Sequence, residues 1–295
     1  PHRGPQAALT VAGTVSGWDE ALKVSREITG KTLPLARLLA DAIDYAQNGT
    51  PVTASQAHAT ASKFDELKAI PGFAETWLVD GKPPQVGSRF YQPAMATTLT
   101  RLAEEGLDSF YRGPLAEVLA HGMETLGLPV TLADLNAHAA RRTTPLKLEH
   151  QQGEIFNHAP PTQGLVSLAI LGITDRLNMA EADDADTIHR IVEATKLAFG
   201  LRDAHITDPR ALKTDVQKLL DPAALQALAD RVDDGRAAPW GTGKGPGDTV
   251  WMGVMDSSGL AVSFIQSLYH EFGSGVVLPD TGIVWQNRGA SFSLD

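Results

Sequence analysis

The sequence predicts a mixed α and β fold, and three observations carry that expectation. Apolar residues recur at helical spacing in several runs before residue 127 and again over 164–204. Two pairs of short β-rich runs are each joined by a polar turn. A glycine-rich stretch without periodicity separates the second pair from the helices before it.

The elements follow in order. Residues 33–47 carry Leu35, Leu38, Leu39, Ala42, Ile43 and Ala46 on one helical face, and Asn48-Gly49 with Pro51 ends the run. Amphipathic runs cover 53–67, 93–106 and 114–126, and Thr131 to Asp134 has the T-x-x-D pattern of a capping box opening a short helix. Residues 144–148 and 154–157 read as strands about the turn His150-Gln151-Gln152-Gly153. Helices are expected at 164–177 and 186–204. Residues 208–232 read as short helices broken at Asp221-Pro222, since proline lacks the N–H that a helix interior requires, and 233–247 read as loop. The last two runs, 249–256 and 260–268, form a hairpin turned by Ser257-Ser258-Gly259.

Composition narrows the function classes. At 295 residues, 43% hydrophobic and 20% charged, the chain can bury a large core as one domain or two. No apolar run reaches the ~18 residues of a membrane-spanning helix. A formal net charge of -10 and a pI near 5.3 argue against nucleic acid or anionic membrane as partner, because both reward clustered lysine and arginine. Small molecules or peptides are the expected substrates. Cysteine is absent, which excludes disulfides, a thiol nucleophile and thiolate metal sites and leaves the compartment, cytoplasmic or periplasmic, open.

The densest chemistry lies after Gly241. The loop Gly241-Thr242-Gly243-Lys244-Gly245-Pro246-Gly247-Asp248 runs directly into Thr249-Val250-Trp251-Met252-Gly253-Val254-Met255-Asp256. A threonine hydroxyl is a weak nucleophile within a chain. At a free N-terminus its own α-amine, which titrates near pH ~8, can take the hydroxyl proton. Cleavage between Asp248 and Thr249 creates both groups at once. Glycines make backbone contortion easy before that bond, and a strand holds the new terminus after it. An ordinary solvent loop leading into a strand explains the same local pattern, since threonine is common in strands.

A wider set of landmarks resembles one family. Thr249 to Asp256, Gly259, Phe272-Gly273-Ser274-Gly275-Val276-Val277 and Thr281-Gly282-Ile283 follow, without a gap, the start of the small subunit in the γ-glutamyltransferase family, roughly T-T-H-x-S-V-V-D-x-x-G, F-G-S/T-G-I/V-V and S/T-G-I/V-L-L-N-N. Upstream, Ala12-Gly13-Thr14-Val15-Ser16-Gly17 is similar to its P-G-T-V-x-G turn, and Pro160-Pro161-Thr162-Gln163-Gly164 to its P-P-x-S-S-G segment. His189 to Ala194, Arg202-Asp203-Ala204 and Asp208-Pro209 match its helix H-x-x-V-E-A-x-K-x-A-x-x-D-R and the following D-P.

The resemblance implies an α+β fold, the αββα sandwich of the N-terminal nucleophile hydrolases. It places 1–248 in the C-terminal part of a large α subunit and 249–295 in the N-terminal part of a small β subunit, intertwined in one domain and truncated at both ends. It implies autocatalytic cleavage of a zymogen at Asp248 and Thr249, with Thr249 as the catalytic nucleophile of a hydrolase or acyltransferase working through an acyl-enzyme. Ser267 keeps the hydroxyl that family members place beside the nucleophile's amine. No cofactor and no metal are expected. The remaining parts of the same precursor would supply oxyanion donors and a carboxylate-binding arginine, and a homodimer is a further possibility.

The donor subsite departs from the family pattern. Where γ-glutamyl enzymes bind the donor's α-amino group with an asparagine, a glutamine or glutamate, and an aspartate, the ungapped register puts Tyr269, Arg288 and Ser291. A protonated amine beside Arg288 meets like charge, which at ~4 Å and surface-like dielectric is worth about 1 to 4 kcal/mol. Acyl amides lacking that amine, glutaryl or other, are therefore favoured over γ-glutamyl donors such as glutathione, as in the cephalosporin-acylase branch. True γ-glutamyl transfer and a non-catalytic ligand-binding relative are the alternatives. Arg288 pointing away to pair with Asp295 or Glu271 is the structural one.

Other residues invite chemistry less strongly. His189 and Glu193 share a helix face, yet no second histidine joins them, so they read as a structural pair and not as metal ligands. Asp203, His205 and Asp208 read as capping and loop-fixing groups. Gly273, Ser274 and Gly275 suit either a turn or backbone N–H groups aimed at substrate. Ser16-Gly17-Trp18 belongs to a structural turn without triad context, and Gln163 or Thr162 is a helix cap.

Overall fold

The computed structural model describes residues 1–240 and 248–292, and its chain divides into two compact units, Pro1–Arg141 with Gly245–Asp295, and Arg142–Lys244. The glycine-rich stretch 241–247 lies outside the described residues.

In the first unit, α1 (Thr14–Thr29) begins at the segment that sequence had read only as a turn. Its first turn, with threonine, valine, serine and glycine, is poor in helix formers. It is fixed from a distance: Ser16 N donates to Tyr111 Oη (3.1 Å), and Tyr111 Oη donates to Ala12 O (2.7 Å). Next come α2 (Leu35–Asn48) and the short strand β1 (Thr50–Pro51). The run expected as one helix over 53–67 is two, α3 (Ala54–Ser62) and α4 (Phe64–Leu67), parted at Lys63. Thr60 and Ser62 turn their hydroxyls back onto the carbonyls of Gln56 and Ala59, a habit that weakens a helix end. Then follow α5 (Phe73–Trp77), β2 (Arg89–Phe90), antiparallel to β1, α6 (Pro93–Glu105), α7 (Ser109–Arg112), α8 (Pro114–Leu126) and α9 (Leu132–Ala137). Proline occupies the first position of α6 and α8, where its missing N–H costs nothing. The expected capping box forms: Thr131 N donates to Asp134 Oδ2 (2.8 Å) and Asp134 N to Thr131 Oγ1 (3.3 Å).

The second unit pairs β3 (Leu146–His150) with β4 (Gly153–Asn157) as an antiparallel hairpin, Leu146 opposite Asn157 and His150 opposite Gly153. Against it pack α10 (Gly164–Thr174), α11 (Asp184–His205) and α12 (Pro222–Ala229). α10 stops short of the expected 177, and α11 starts before the expected 186 because Asp183 caps it by accepting from Asp186 N (2.9 Å). Leu148, Leu165, Leu168, Ile173 and Leu225 form this unit's core. Gly172 lets α10 approach closely: a Cβ there would lie 2.6 Å from Leu225.

The chain then returns to the first unit as β5 (Asp248–Met255) and β6 (Ala261–Tyr269), antiparallel, with Val250 opposite Gln266 and Met255 opposite Ala261. Side chains on both faces of this hairpin remain in solvent, Val254 at 71% and Met255 at 74% exposure. The segment after β6 is the opposite case. Val276, Leu278 and Trp285 join Leu102, Phe110, Leu115, Leu119, Met123 and Leu135 in the first unit's core.

Candidate active site

The site is built where β6 leaves the hairpin. Asp248 pairs with Tyr269 and Val250 with Gln266, so Thr249 faces two residues of β6, Ser267 and Leu268, across an irregularity in the ladder. A bulge of this kind breaks pairing locally and re-aims a side chain, which is why bulges gather beside active sites. Here Thr249 Oγ1 donates to Ser267 Oγ at 3.0 Å. The same Ser267 oxygen accepts from Tyr269 N at 2.9 Å. Engaging the threonine proton leaves the lone pairs of its oxygen available for attack.

Tyr269 takes a left-handed backbone conformation, φ 81°, uncommon for a bulky residue. This turns the chain sharply after Ser267 and lays the phenol against two groups. The His270 ring stacks on it at 4.6 Å between centroids, and the Arg288 guanidinium lies over it, Cζ 4.6 Å from its centre. Arg288 opens a short 3-10 turn, Arg288–Ser291, and Ser291 Oγ donates to Arg288 O (2.8 Å). The five residues expected at the site, Thr249, Ser267, Tyr269, Arg288 and Ser291, are thus linked in one chain of contacts that runs in part through the Tyr269 N–H and the Arg288 carbonyl. The Asp248 side chain lies outside what is described. Of the two pairings weighed for Arg288, Glu271 instead faces Lys63 (3.9 Å), and Asp295 lies outside the described residues.

Sequence reasoning passed over what holds Tyr269 and Arg288 in place. Asn287 is fully buried. A peptide N–H can only donate and a carbonyl can only accept, which orients its carboxamide: His270 N donates to Oδ1 (3.2 Å), and Nδ2 donates to His2 O (2.7 Å). Nδ2 also lies 3.1 Å from His270 Nδ1, which must then carry a lone pair, so the neutral ring bears its hydrogen on Nε2. Burial, with the positive charges of Arg3 and His2, pushes His270 below the usual histidine range. Arg3 is itself fixed, its Nη1 donating to Glu271 O (2.6 Å) and Gly273 O (2.5 Å) and its Nε to Glu66 Oε1 (2.7 Å). Adjacency to Tyr269 and Arg288 was the only signal for His270 and Asn287.

The glycine-flanked turn is structural. Gly273 N donates to His270 O (2.8 Å), Ser274 N to Trp285 O (2.9 Å) and Gly275 N to Phe272 O (2.8 Å), so none of these N–H groups is directed at a ligand. Gly275, at φ 79°, packs against Leu67 and Ile70, where a Cβ would meet Leu67 at 2.9 Å. A depression of about 460 Å³ lined by Pro71, Tyr91, Pro93, Met95, Val277 and Pro279 contains none of the site residues. Ser16 does meet a histidine, its Oγ 2.9 Å from His138 Nε2, but it is buried and also donates to Gly13 O (3.0 Å). Burial and the cations Arg112 and Arg141 push His138 down, the reverse of what a triad base needs. Thr162 Oγ1 accepts weakly from Gly164 N (3.4 Å), Asp208 caps its short turn through Arg210 N (2.8 Å), and Asp203 pairs with Arg202 (2.8 Å). Among the described residues no cluster of histidines and carboxylates suits a metal.

The chain is 76% identical over its full length to the oxamate amidohydrolase proenzyme of Klebsiella pneumoniae, of which it covers 56%, and 37% identical to the glutathione hydrolase-like YwrD proenzyme of Bacillus subtilis, covering 55%. It thus spans about half the length of the curated relatives it matches. The crystal structure of a cephalosporin acylase from Bacillus halodurans superposes over the whole chain with a TM-score of 0.88 at 33% identity, matched over 54% of that chain. The fold is therefore the α+β fold of the N-terminal nucleophile hydrolases, though among the described residues each sheet is a single strand pair. The profile described as Gamma-glutamyltranspeptidase matches residues 1–295, and the chain belongs to that family.

Proposed function

We propose that this chain carries the nucleophile of an autoprocessed amide hydrolase, and that its substrate is a small amide bearing a carboxylate on the acyl side. The observation that carries this is the contact of Thr249 Oγ1 with Ser267 Oγ at the bulge, two residues before the Tyr269 of the Tyr269–Arg288 stack.

In maturation, Thr249 Oγ attacks the Asp248 carbonyl carbon. The C–N bond breaks, the hydroxyl proton passes to the departing nitrogen, and the resulting ester is hydrolysed to leave the Asp248 carboxylate and a free Thr249 amine and hydroxyl. In turnover, Thr249 Oγ attacks the substrate amide, and the new α-amine takes its proton and returns it to the leaving amine. Water then resolves the acyl-enzyme. Ser267 orients the threonine hydroxyl throughout.

Arg288 sets the donor class. Its charge attracts an acyl-side carboxylate and repels an α-ammonium, and Tyr269 and Ser291 supply no compensating anion. Oxamate, named for the 76% identical relative, is an amide with its carboxylate directly on the scissile carbonyl and no amine on the acyl side, so it meets this requirement. Glutaryl amides meet it with a longer reach. Hydrolysis of a γ-glutamyl donor is the second reading, favoured by the name of the Bacillus relative. The remaining parts of the same precursor are the partner this reading calls on, and a homodimer is compatible with it.

The test uses the full-length precursor. Intact mass should show two chains, the smaller starting at Thr249, and the processed enzyme should release ammonia from oxamate faster than it cleaves a γ-glutamyl anilide. A different start, or preference for the γ-glutamyl donor, overturns the corresponding half of the reading.

A further inference from the structure

Three consecutive residues, His2, Arg3 and Gly4, are bonded to the segment that follows Tyr269. His2 O accepts from Asn287 Nδ2 (2.7 Å), Arg3 Nη1 donates to Glu271 O (2.6 Å) and Gly273 O (2.5 Å), and Gly4 N donates to Ser274 O (2.7 Å). Nη1 carries two hydrogens, and both go to carbonyls of one turn. The Arg3 Nε donates to Glu66 Oε1 (2.7 Å), so the guanidinium is held from a second side, and its side chain is only 11% exposed.

The turn held in this way is one that its own residues disfavour. Tyr269 (φ 81°) and Phe272 (φ 61°) both take left-handed conformations, which are costly for bulky side chains, whereas Gly273 (φ 55°) and Gly275 (φ 79°) take them readily. Two local bonds support it, Gly273 N to His270 O and Gly275 N to Phe272 O, each 2.8 Å. The rest of the support comes from outside. The Phe272 ring packs edge-on against Phe73 and Trp77, with centroids 5.3 and 5.0 Å away, and Arg3 caps the carbonyls with charge-assisted hydrogen bonds, the stronger kind. Strained backbone persists only where its surroundings over-determine it, and such residues gather at ligand sites. Tyr269 is the strained residue over which the Arg288 guanidinium lies.

We propose that Arg3 is a positioning residue for donor recognition: by capping the carbonyls of Glu271 and Gly273, it holds the turn after β6 in the strained conformation that sets Tyr269 under Arg288. This rests on the carboxylate-donor reading above. Without the cap the turn spends part of its time relaxed, and apparent affinity for the donor falls with the fraction that stays competent. The acyl-side carboxylate is bound alike before and during attack on the carbonyl, so the loss falls on KM and not on kcat.

The experiment measures kcat and KM for oxamate on enzyme processed from the full-length precursor, with melting temperature beside them. Arg3→Met should raise KM about fivefold, as for a turn that is competent about a fifth of the time, with kcat within about twofold of wild type. Arg3→Lys, whose ammonium can still donate to both carbonyls, should recover most of that loss. Arg3→Gln can cap one carbonyl and should fall between them, and it is read in place of Arg3→Met where that variant does not fold or mature. Glu66→Gln removes the ion pair and leaves both carbonyl bonds, so its KM should stay within about twofold of wild type. Leu135→Ala, in the core of the same unit, should lower the melting temperature and leave KM unchanged. A wild-type KM in folded Arg3→Met and Arg3→Gln, no rescue by lysine, or a KM that rises in Leu135→Ala in proportion to lost stability overturns the proposal. Arg288→Gln separates it from its foundation: if that change leaves the ratio of oxamate to γ-glutamyl anilide turnover flat, the donor reading fails and the role of Arg3 falls with it. If the ratio shifts while Arg3→Met keeps a wild-type KM, only the role of Arg3 fails.

Discussion

The hairpin β5–β6 and the segment 273–287 meet at one site but are held by different forces. The hairpin keeps solvent on both faces and is tied by its own ladder, with Trp251 Nε1 donating across it to Ser263 Oγ (2.9 Å). The segment is core. Trp285 is fully buried with its Nε1 donating to Thr10 O (3.0 Å), Ser274 Oγ donates to Trp285 O (2.7 Å), and Gln286 Nε2 donates to the same Thr10 carbonyl (2.6 Å). The proposed nucleophile therefore stands on an element whose side chains contribute little to stability here, whereas Arg288 and Ser291, two of the groups proposed to select the donor, follow directly on the buried segment, and Tyr269 closes the hairpin. Catalytic and structural effects of substitution should separate along that line.

The sharpest test of the contrast sets Thr249→Ala against Trp285→Ala. The first removes the only oxygen proposed for attack, so turnover should fall by at least about a thousandfold, with no two-chain form and an unchanged melting temperature. The second creates a large cavity and should cost about 3–5 kcal/mol of stability. Activity should be lost with the fold and return where the variant is refolded at low temperature. Calorimetry of both variants checks the pair; a marked drop in melting temperature for Thr249→Ala breaks the division.

Arg288→Gln probes the junction between the two regions. Removing the cation should shift the ratio of oxamate to γ-glutamyl anilide turnover about tenfold toward the latter, which is about 1.4 kcal/mol and lies inside the range for one charge at this distance. Adding Ser291→Asp and Tyr269→Asn should move the ratio further, because an acceptor for the amine is then restored. A flat ratio in the well-folded triple variant means that Arg288 does not face the donor.

The two regions also differed in how well sequence disclosed them. The hairpin was legible because alternation, turn residues and the preceding glycines are local signals. The amphipathic runs 93–106 and 114–126 likewise end within a residue of the helices found there. α1 was missed because its weak first turn is held by Tyr111, ninety-five positions away from Ser16, and no local pattern encodes that bond. The break at Lys63 was missed because apolar residues at helical spacing, Ala61, Phe64 and Leu67, continue across it. Register brought Thr249, Tyr269 and Arg288 forward as candidates, but it gave no sign of the Asn287 carboxamide beside them, whose three backbone and ring partners only the fold assembles.

That carboxamide gives the smallest effect and the finest measure of how recognition depends on the core. Asn287 Nδ2 can donate to His270 Nδ1 only while the ring is neutral, and protonation sets N–H against N–H. The charged groups acting on this ring are Arg3, His2 and Lys63, which oppose protonation, and Glu271, which favours it; burial opposes it most. Because the folded-state value lies below the ordinary ~6.5, the unfolded chain binds the proton first, and stability is complete above about pH 6.5 and declines as pH falls toward the folded value. His138 is pushed the same way and contributes in the same window, so the informative quantity is a difference. His270→Asn offers a neutral acceptor near the Nδ1 position, and it should flatten part of the decline below about pH 6.5 while His138 supplies the rest. The acid limb governed by carboxylates such as Glu66, held low chiefly by its bond from Arg3, lies below the ordinary carboxylate value and should be untouched. Melting temperature against pH for wild type and His270→Asn checks this, together with the KM for oxamate across the same range. In wild type KM should rise about two- to threefold as the imidazole protonates and Tyr269 loses its stacked neighbour's fixed orientation, and in the variant that slope should vanish. Parallel curves for the two proteins would mean that the Asn287–His270 contact bears no load in holding the donor site.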